Sequence, residues 1–184
     1  QPDFVVISGD SISGHHYSQK VGCMKDGVAG CYPLTVRAMM DANITWAYIL
    51  GNHDGEGNLS REQVMKLDLG YPLSMSQMGP NSISGHSNYV LQVLRSNSDK
   101  AVSHLYFLDT GSSKCMGVAG WGCMMPDQVE WYRKTSMELR RKHGAILPSL
   151  AFFHIASQEY MTSLNNLQGR GTKKETVCCS SVNT

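Results

Sequence analysis

Three short apolar runs constrain the fold of this chain more than any other sequence feature. They are FVVI at 4–7, WAYIL at 46–50 and SLAFF at 149–153. Runs of this length, rich in β-branched and aromatic residues, are typical of buried strands. Asp10, Asn52 and His154 follow the three runs closely. Because functional sites in α/β folds form outside the carboxyl ends of strands, we expect these polar side chains to be functional.

The second run leads directly into Gly51-Asn52-His53-Asp54. Gly51 permits a tight turn or a close backbone approach. Asn52 offers a carbonyl oxygen, and His53 offers an imidazole that can bind a metal or transfer a proton. Asp54 adds a carboxylate that can orient a neighbouring group. Alone, the motif is most simply a polar loop after a core strand, but the polar ends of the other two runs favour a site.

Length and composition set the class of protein. The 184 residues, 41% of them hydrophobic, are enough to bury a core, so we predict one domain over 1–184. The formal net charge is +1 with 17% charged residues, which gives a nucleic-acid partner no support. No apolar run reaches membrane length.

The other elements predict an α/β chain. A polar, glycine-containing loop is expected over 11–32, followed by a helix that begins at Pro33 and ends near Asn43. A capping box formed by Ser60 and Gln63 predicts a second helix. The alternating segment 88–95 and the apolar run 104–109 predict an antiparallel pair in a second sheet.

A third helix is expected from Pro126. Asp127 is the expected cap, and Glu130 stands three residues on. The apolar stripe of this helix is then Val129, Tyr132 and Leu139.

The six cysteines do not have the CxxC spacing of a structural zinc site. Cys23 and Cys31 share their spacing with Cys115 and Cys123, and both pairs lie near glycines. Loop disulfides are expected if the protein is secreted, and free buried thiols are the alternative. Two glycosylation triplets, at 43–45 and 58–60, favour the secretory, vacuolar or lysosomal route.

The three strand-end ligands suit a metal. Oxygen ligands mixed with imidazole favour manganese, iron or zinc. The Asp10 carboxylate can bridge two ions, and Asn52 and His154 can bind one of these ions. Two ions roughly 3.5–4 Å apart clamp a phosphate and turn a bridging water into hydroxide. His53 would then lie near the leaving oxygen as a proton donor or charge stabiliser.

Taken in order, Ser8-Gly9-Asp10, Gly51-Asn52-His53-Asp54 and Phe152-Phe153-His154-Ile155 resemble the calcineurin-like metallophosphoesterase superfamily. The segments 153–160 and 126–131 are most similar to its branch related to purple acid phosphatases. The resemblance implies a four-layer α/β/β/α sandwich with two mixed sheets. It also implies that Asp10 bridges two metal ions, that Asn52 and His154 bind the second ion, and that His53 is catalytic.

This chain departs from the family pattern at both ends. The family has an Asp-x-His motif before Gly-Asp and a late Gly-His-x-His motif, and neither occurs here. We therefore expect part of a longer protein, with a fold incomplete at both ends and only part of the ligand set. Ser13 stands where true purple acid phosphatases carry a tyrosine, which argues against an iron–tyrosinate site.

The sequence supports one favoured function and two alternatives. The favoured function is a phosphoesterase that hydrolyses phosphomonoesters, or diesters, with two ions of iron, manganese or zinc. His15 and His16 are candidate substrate-binding residues, with solvated loop histidines as the alternative, and Asp54 is a candidate support for the ligands. A catalytically silent structural module is the second hypothesis, motivated by the missing motifs. A nuclease is disfavoured by the near-neutral charge.

Overall fold

The computed structural model describes residues 1–14 and 22–157 as a mixed α/β fold. A 3₁₀ turn, Gly22–Asp26, precedes the first helix. The helices are α1 (Gly27–Ala42), α2 (Arg61–Asp68) and α3 (Pro126–His143). The strands are β1 (Phe4–Ile7), β2 (Thr45–Tyr48), β3 (Tyr89–Leu94), β4 (Ala101–Leu108), β5 (Ser113–Cys115), β6 (Val118–Trp121) and β7 (Ser149–Phe153). Within the described residues, no helix is long and apolar enough to cross a membrane.

The strands form three separate groups. β1 and β2 pair in parallel, with Val5 opposite Trp46. β3 and β4 form the predicted antiparallel pair, and β7 lies parallel to β4 on its other side. β5 and β6 form a short hairpin. The α/β class and the predicted antiparallel pairing are therefore confirmed, and the four-layer arrangement stays a prediction.

The core forms around β2 and the two residues that follow it. Trp46, Tyr48, Ile49 and Leu50 are all fully buried. A strand covered on both faces reads as a continuous apolar run rather than an alternating one, which is the pattern of this segment. The segment that begins at Gly51 is therefore anchored to the core through fully buried residues.

Helix α1 begins six residues before the predicted start at Pro33, at Gly27, so 27–32 is helix and not loop. Val28, Tyr32 and Val36 lie four residues apart and are fully buried. Burial of this stripe against the core stabilises the helix more than one interior proline weakens it. The prediction of a start at Pro33 rests on the preference of proline for the first turn of a helix, where its missing N–H costs no hydrogen bond. In the structure Pro33 lies in the helix interior.

The starts of the other two helices follow capping chemistry. At α2 the predicted box is confirmed, since Gln63 N–H donates to Ser60 Oγ and Ser60 N–H donates to Gln63 Oε1. At α3 the cap is Met125, whose N–H donates to Gln128 Oε1 at 2.7 Å. The prediction that Asp127 is the cap was wrong.

Asp127 binds Ser84 instead of capping α3. Helix α3 also buries a face that contains Gln128 rather than the expected face of Val129 and Tyr132. The Asp127 carboxylate accepts hydrogen bonds from the N–H and hydroxyl of Ser84, across the fold. Val129 and Tyr132, expected on the buried stripe, are exposed, whereas Gln128 is buried. Gln128 Nε2 donates to Asn88 Oδ1 and to the Asp109 carbonyl, so α3 is anchored by polar contacts.

A buried carboxylate joins α2 to the rest of the core. Asp68, the last residue of α2, is fully buried. It accepts hydrogen bonds from Tyr32 Oη at 2.7 Å, Trp46 Nε1 at 2.8 Å and Ser74 Oγ at 2.7 Å. One side chain therefore fixes α1, β2 and the loop after α2 to each other.

Both cysteine pairs with equal spacing form disulfides. Cys23–Cys31 joins the 3₁₀ turn to α1, and Cys115–Cys123 ties β5 to the segment after β6. The disulfide alternative is confirmed for these four residues, and Cys178 and Cys179 lie outside the described residues.

A buried histidine makes the stability of the fold dependent on pH. His104 on β4 is buried, with its ring centroid 5.2 Å from that of His143. Burial, and then the charges of His143 and Lys142, lower the pKa of His104 below 6.5. The unfolded chain therefore binds a proton more readily than the folded chain does. The stabilisation is complete above the unfolded pKa and is lost as the pH falls through the folded pKa.

Replacing His104 by glutamine removes this titration. We expect the free energy of unfolding of His104→Gln to fall less between about pH 8 and about pH 5 than that of the parent protein, by about 1.4 kcal/mol for each unit of the pKa shift. Urea unfolding at both pH values measures it. His86→Gln is the control, and an identical pH dependence in parent and His104→Gln would contradict the prediction.

Candidate functional site

The three predicted ligands converge at the carboxyl ends of β1, β2 and β7. His154 Nε2 lies 3.0 Å from Asp10 Oδ2 and 3.1 Å from Asn52 Oδ1. Asp10 and Asn52 are brought to one edge because β1 and β2 run in parallel. The structure therefore brings together the side chains that the strand-end pattern singled out.

The hydrogen bonding of His154 favours a cation at this point. His154 Nδ1 lies 2.7 Å from the Ser8 carbonyl oxygen, so Nδ1 carries a proton and donates it. In the neutral ring, Nε2 then presents a lone pair to two acceptor oxygens, those of Asp10 and Asn52. Three converging lone pairs repel each other unless a positive charge lies among them. Histidine ligands of metals commonly donate their other N–H to a backbone carbonyl, as here.

The backbone around Asp10 is adapted to this geometry. Asp10 has a φ of +54° and Gly9 has a φ of +97°. The left-handed region is costly for most residues, but aspartate tolerates it better than most. A Cβ at Gly51 would collide with the Asp10 backbone nitrogen and carboxylate, so only glycine allows this approach. Asp10 Oδ1 in turn accepts the His53 N–H at 2.9 Å.

Asp54 holds the two ligand-bearing loops together. Its side chain is 0% exposed. Its carboxylate accepts the backbone N–H groups of Asp10 at 2.9 Å, Ile12 at 3.2 Å and Gly51 at 2.6 Å. Burial raises the pKa of Asp54, and the hydrogen bonds from Gly51 and Asp10 oppose that shift. These contacts hold the backbone of Asp10 next to that of Gly51, and the predicted role of Asp54 in supporting metal ligands stays a prediction.

His53 lies at the open side of the site. Its side chain is 37% exposed, and Nδ1 lies 2.8 Å from Glu56 Oε1, off the direction of a good hydrogen bond. The ring centroid is 6.0 Å from that of Trp121, and the two rings are nearly perpendicular. Glu56 and Trp121 were missed at the sequence level. Glu56 stands three residues after His53, and this spacing was the available signal.

Arg61 connects this site to the end of β4. Its guanidinium donates to the Gly51 carbonyl and pairs with the Asp109 carboxylate. Asp109 also accepts N–H groups from His86 at 2.8 Å and Gly111 at 2.9 Å. Sequence patterns could not indicate this pair, because 48 residues separate its members.

An open cavity adjoins the ligands. Its volume is about 260 Å³. It is lined by Asn52, Gly55, Glu56, Arg61, Ser112, Ser113 and Trp121. Asn52 is therefore shared between the ligand cluster and the cavity.

The site is only part of the predicted two-metal centre. In the ranges 1–14 and 22–157, no group of three or more His, Cys, Asp or Glu side chains is placed to hold a metal ion. Asp10 and His154 with the Asn52 amide can provide three donors to one ion. His15 and His16, the predicted substrate contacts, lie outside the described residues.

The chain is similar to curated proteins named as phosphatases. It is 31% identical over 199 residues to "Probable inactive purple acid phosphatase 29" of Arabidopsis thaliana, a match that covers 100% of this chain and 49% of that protein. "Probable inactive purple acid phosphatase 14" of the same plant is 29% identical over 100% of this chain and 48% of its own length. "Phosphatase DCR2" of Saccharomyces cerevisiae is 30% identical over 88% of this chain and 28% of its own length.

The chain thus spans about half the length of the plant proteins that it matches. No family model and no solved structure matches it. These homologues indicate a relationship to purple acid phosphatases and, through them, to metallophosphoesterases. Two of the names contain the word "inactive", so the comparisons support the phosphatase-like family and not catalysis itself.

Proposed function

We propose that the protein is a metal-dependent phosphoesterase that acts on phosphomonoesters, with diesters as a second substrate class. The observation that carries the proposal is the convergence of Asp10, Asn52 and His154 around one point, with His53 beside it. The fold proposed for it is the four-layer sandwich of metallophosphoesterases, of which the mixed sheet β3–β4–β7 and the parallel pair β1–β2 would be parts.

Asp10, Asn52 and His154 would hold the ion or ions, of manganese, iron or zinc. Their donors fit a cation, because His154 Nε2 and one oxygen each of Asp10 and Asn52 converge within 3.1 Å, while Nδ1 lies at the Ser8 carbonyl. When bound, such an ion supplies Lewis-acid activation of water and neutralises charge on the phosphate. The left-handed backbone of Asp10 and the amides fixed by Asp54 keep these oxygens in place without substrate.

His53 is the proposed proton donor to the leaving oxygen. It is partly exposed at the open side of the site, and its backbone is held by the Asp10 carboxylate. The Glu56 carboxylate lies 2.8 Å from Nδ1, and the protonated ring is the form that can donate to the leaving oxygen. Transfer from Nε2 would release the alcohol or phenol and leave a neutral imidazole.

The test uses the full-length protein supplied with manganese, iron or zinc and an aryl phosphate. We expect Asp10→Asn and His53→Ala each to lower kcat by about 100-fold or more, because a positioned acid contributes about 10²–10⁴-fold. Bound metal, measured by elemental analysis, should fall in Asp10→Asn and be retained in His53→Ala. Asp41→Asn is the control, since that side chain is 73% exposed on α1. Absence of activity with all three metals would overturn the proposal and support the silent module. Unchanged kcat in both variants would overturn the roles proposed for Asp10 and His53.

A further inference from the structure

The cavity next to His53 has an aromatic wall, Trp121, and a polar wall formed by Arg61 and two serines. We propose that this cavity binds the leaving group of the substrate, and that this group is an uncharged aromatic ring bonded to the phosphate oxygen. The inference rests on the proposed phosphoesterase function. It adds the substrate class, an aryl phosphate, and names Trp121 as the residue that selects it.

The position of the cavity fits a leaving group. Asn52 belongs both to the ligand cluster and to the cavity wall. The Trp121 ring lies 6.0 Å from the ring of the proposed proton donor, His53. A phosphate at the ligands with its leaving oxygen towards His53 would direct the attached group into the space beside Trp121.

The size of the cavity limits what can enter. Its volume, about 260 Å³, lies just below the roughly 300–1,000 Å³ typical of pockets for drug-sized ligands. A single ring or a small fused ring fits this space, and any larger part of a substrate would remain outside the cavity.

The charges of the cavity are already paired. Arg61 pairs with Asp109, and Glu56 lies at ion-pair distance from His53. Among the described residues that line the cavity, a second charged group on the substrate would find no free partner and would lose its hydration. An uncharged ring with a polar substituent loses little, because Ser112 and Ser113 offer hydroxyl groups at the rim.

Trp121 is held in place although its side chain faces the cavity. The residue is 44% exposed, which is unusual for an indole in a well-packed domain. The Cys115–Cys123 disulfide fixes the hairpin that carries it. Gly122, the next residue, lies so close to the Thr110 carbonyl that a Cβ there would collide with it. An aromatic side chain that is already fixed loses little conformational entropy when a ligand stacks on it. Little of the free energy of stacking is therefore offset by ordering the side chain.

The experiment compares phenyl phosphate with glycerol 2-phosphate, whose leaving group is aliphatic. In the full-length, metal-loaded protein, Trp121→Ala should lower the ratio of kcat/KM for the two substrates about tenfold, mainly by raising KM for phenyl phosphate. Trp121→Phe should restore the ratio to within about threefold, because a ring is retained. Changes in this ratio between variants do not depend on the different acidities of the two leaving groups. Val118→Ala is the control, an exposed apolar residue on the same hairpin.

A ratio that stays the same in Trp121→Ala would overturn the inference. An equal loss for both substrates would overturn it too, because that result indicates a role in holding His53.

A separate binding measurement does not require catalysis. Phenylphosphonate should quench the fluorescence of the parent protein, and Trp121→Phe should lose that quenching, while methylphosphonate should have no effect. Quenching without hydrolysis would refute the proposed function and reduce this inference to the binding of an aromatic ring beside Trp121. Hydrolysis without quenching would refute this inference and leave the proposed function standing.

Discussion

Replacing Asp54 by alanine is expected to lower the free energy of unfolding by about 3 kcal/mol or more and to abolish the metal binding proposed for the site. The Asp54 carboxylate accepts backbone N–H groups from Asp10, Ile12 and Gly51. Alanine would leave these amides unpaired, and each buried unsatisfied donor costs about 1–3 kcal/mol. Because two of the amides precede or carry ligands, the loops that present Asp10 and Asn52 would also lose their common anchor.

Asp54→Asn gives a graded test of the same interaction. Oδ2 of Asp54 accepts from Asp10 and Gly51, whereas Oδ1 accepts from Ile12 alone. An asparagine with its oxygen at the Oδ2 position keeps two hydrogen bonds and turns an NH₂ group towards the Ile12 N–H. We therefore expect about half of the loss seen in Asp54→Ala, measured by urea unfolding with the disulfides intact. Equal stability of Asp54→Ala and the exposed control Asp41→Ala would contradict this account.

The second large effect is expected at Asp68. Asp68→Ala removes the acceptor of the Tyr32 hydroxyl and of the Trp46 indole N–H, both in fully buried side chains. Two buried donors left without an acceptor, together with the lost packing, should lower the free energy of unfolding by about 3–5 kcal/mol. Unlike the change at Asp54, this one lies away from the ligands, so metal binding per folded molecule should not change.

A double variant separates the cost of the stranded hydroxyl from the loss of packing. In Tyr32→Phe/Asp68→Ala the phenol donor is gone, so the combined loss should be smaller than the sum of the two single losses by about 1–2 kcal/mol. Additive losses in urea unfolding would show that the Tyr32–Asp68 hydrogen bond is not the source of the effect. Burial, with the neighbouring Asp68 carboxylate, holds the pKa of Tyr32 far above its usual value, so the phenol remains a donor at every pH used.

What could be predicted from the sequence was local in character. The strands that precede Asp10, Asn52 and His154 were predicted because an apolar run and a polar residue lie close together in the chain. The Ser60–Gln63 capping box was predicted for the same reason, since its partners stand three residues apart. The strand-end rule then placed the three ligands together, although nothing in the sequence gave their distances.

The remaining features depend on contacts between distant segments. The Arg61–Asp109 pair joins residues 48 positions apart, and Trp121 reaches His53 from a hairpin that sequence patterns did not indicate. The early start of α1 likewise depends on burial of Val28 and Tyr32 against the core. Local propensity favoured a start at Pro33, and tertiary packing decided otherwise.

The contact between His154 and the Ser8 carbonyl spans 146 residues, and that between His154 and Asn52 spans 102. Closing loops of this length is entropically costly. The cluster of Asp10, Asn52 and His154 is complete only when the strands from both ends of the described chain are docked. A ligand that binds there binds the native state alone, so its free energy of binding adds to the stability of the whole domain. Because only the folded domain would bind such a ligand, the fraction of the protein that binds it would report the fraction that is folded.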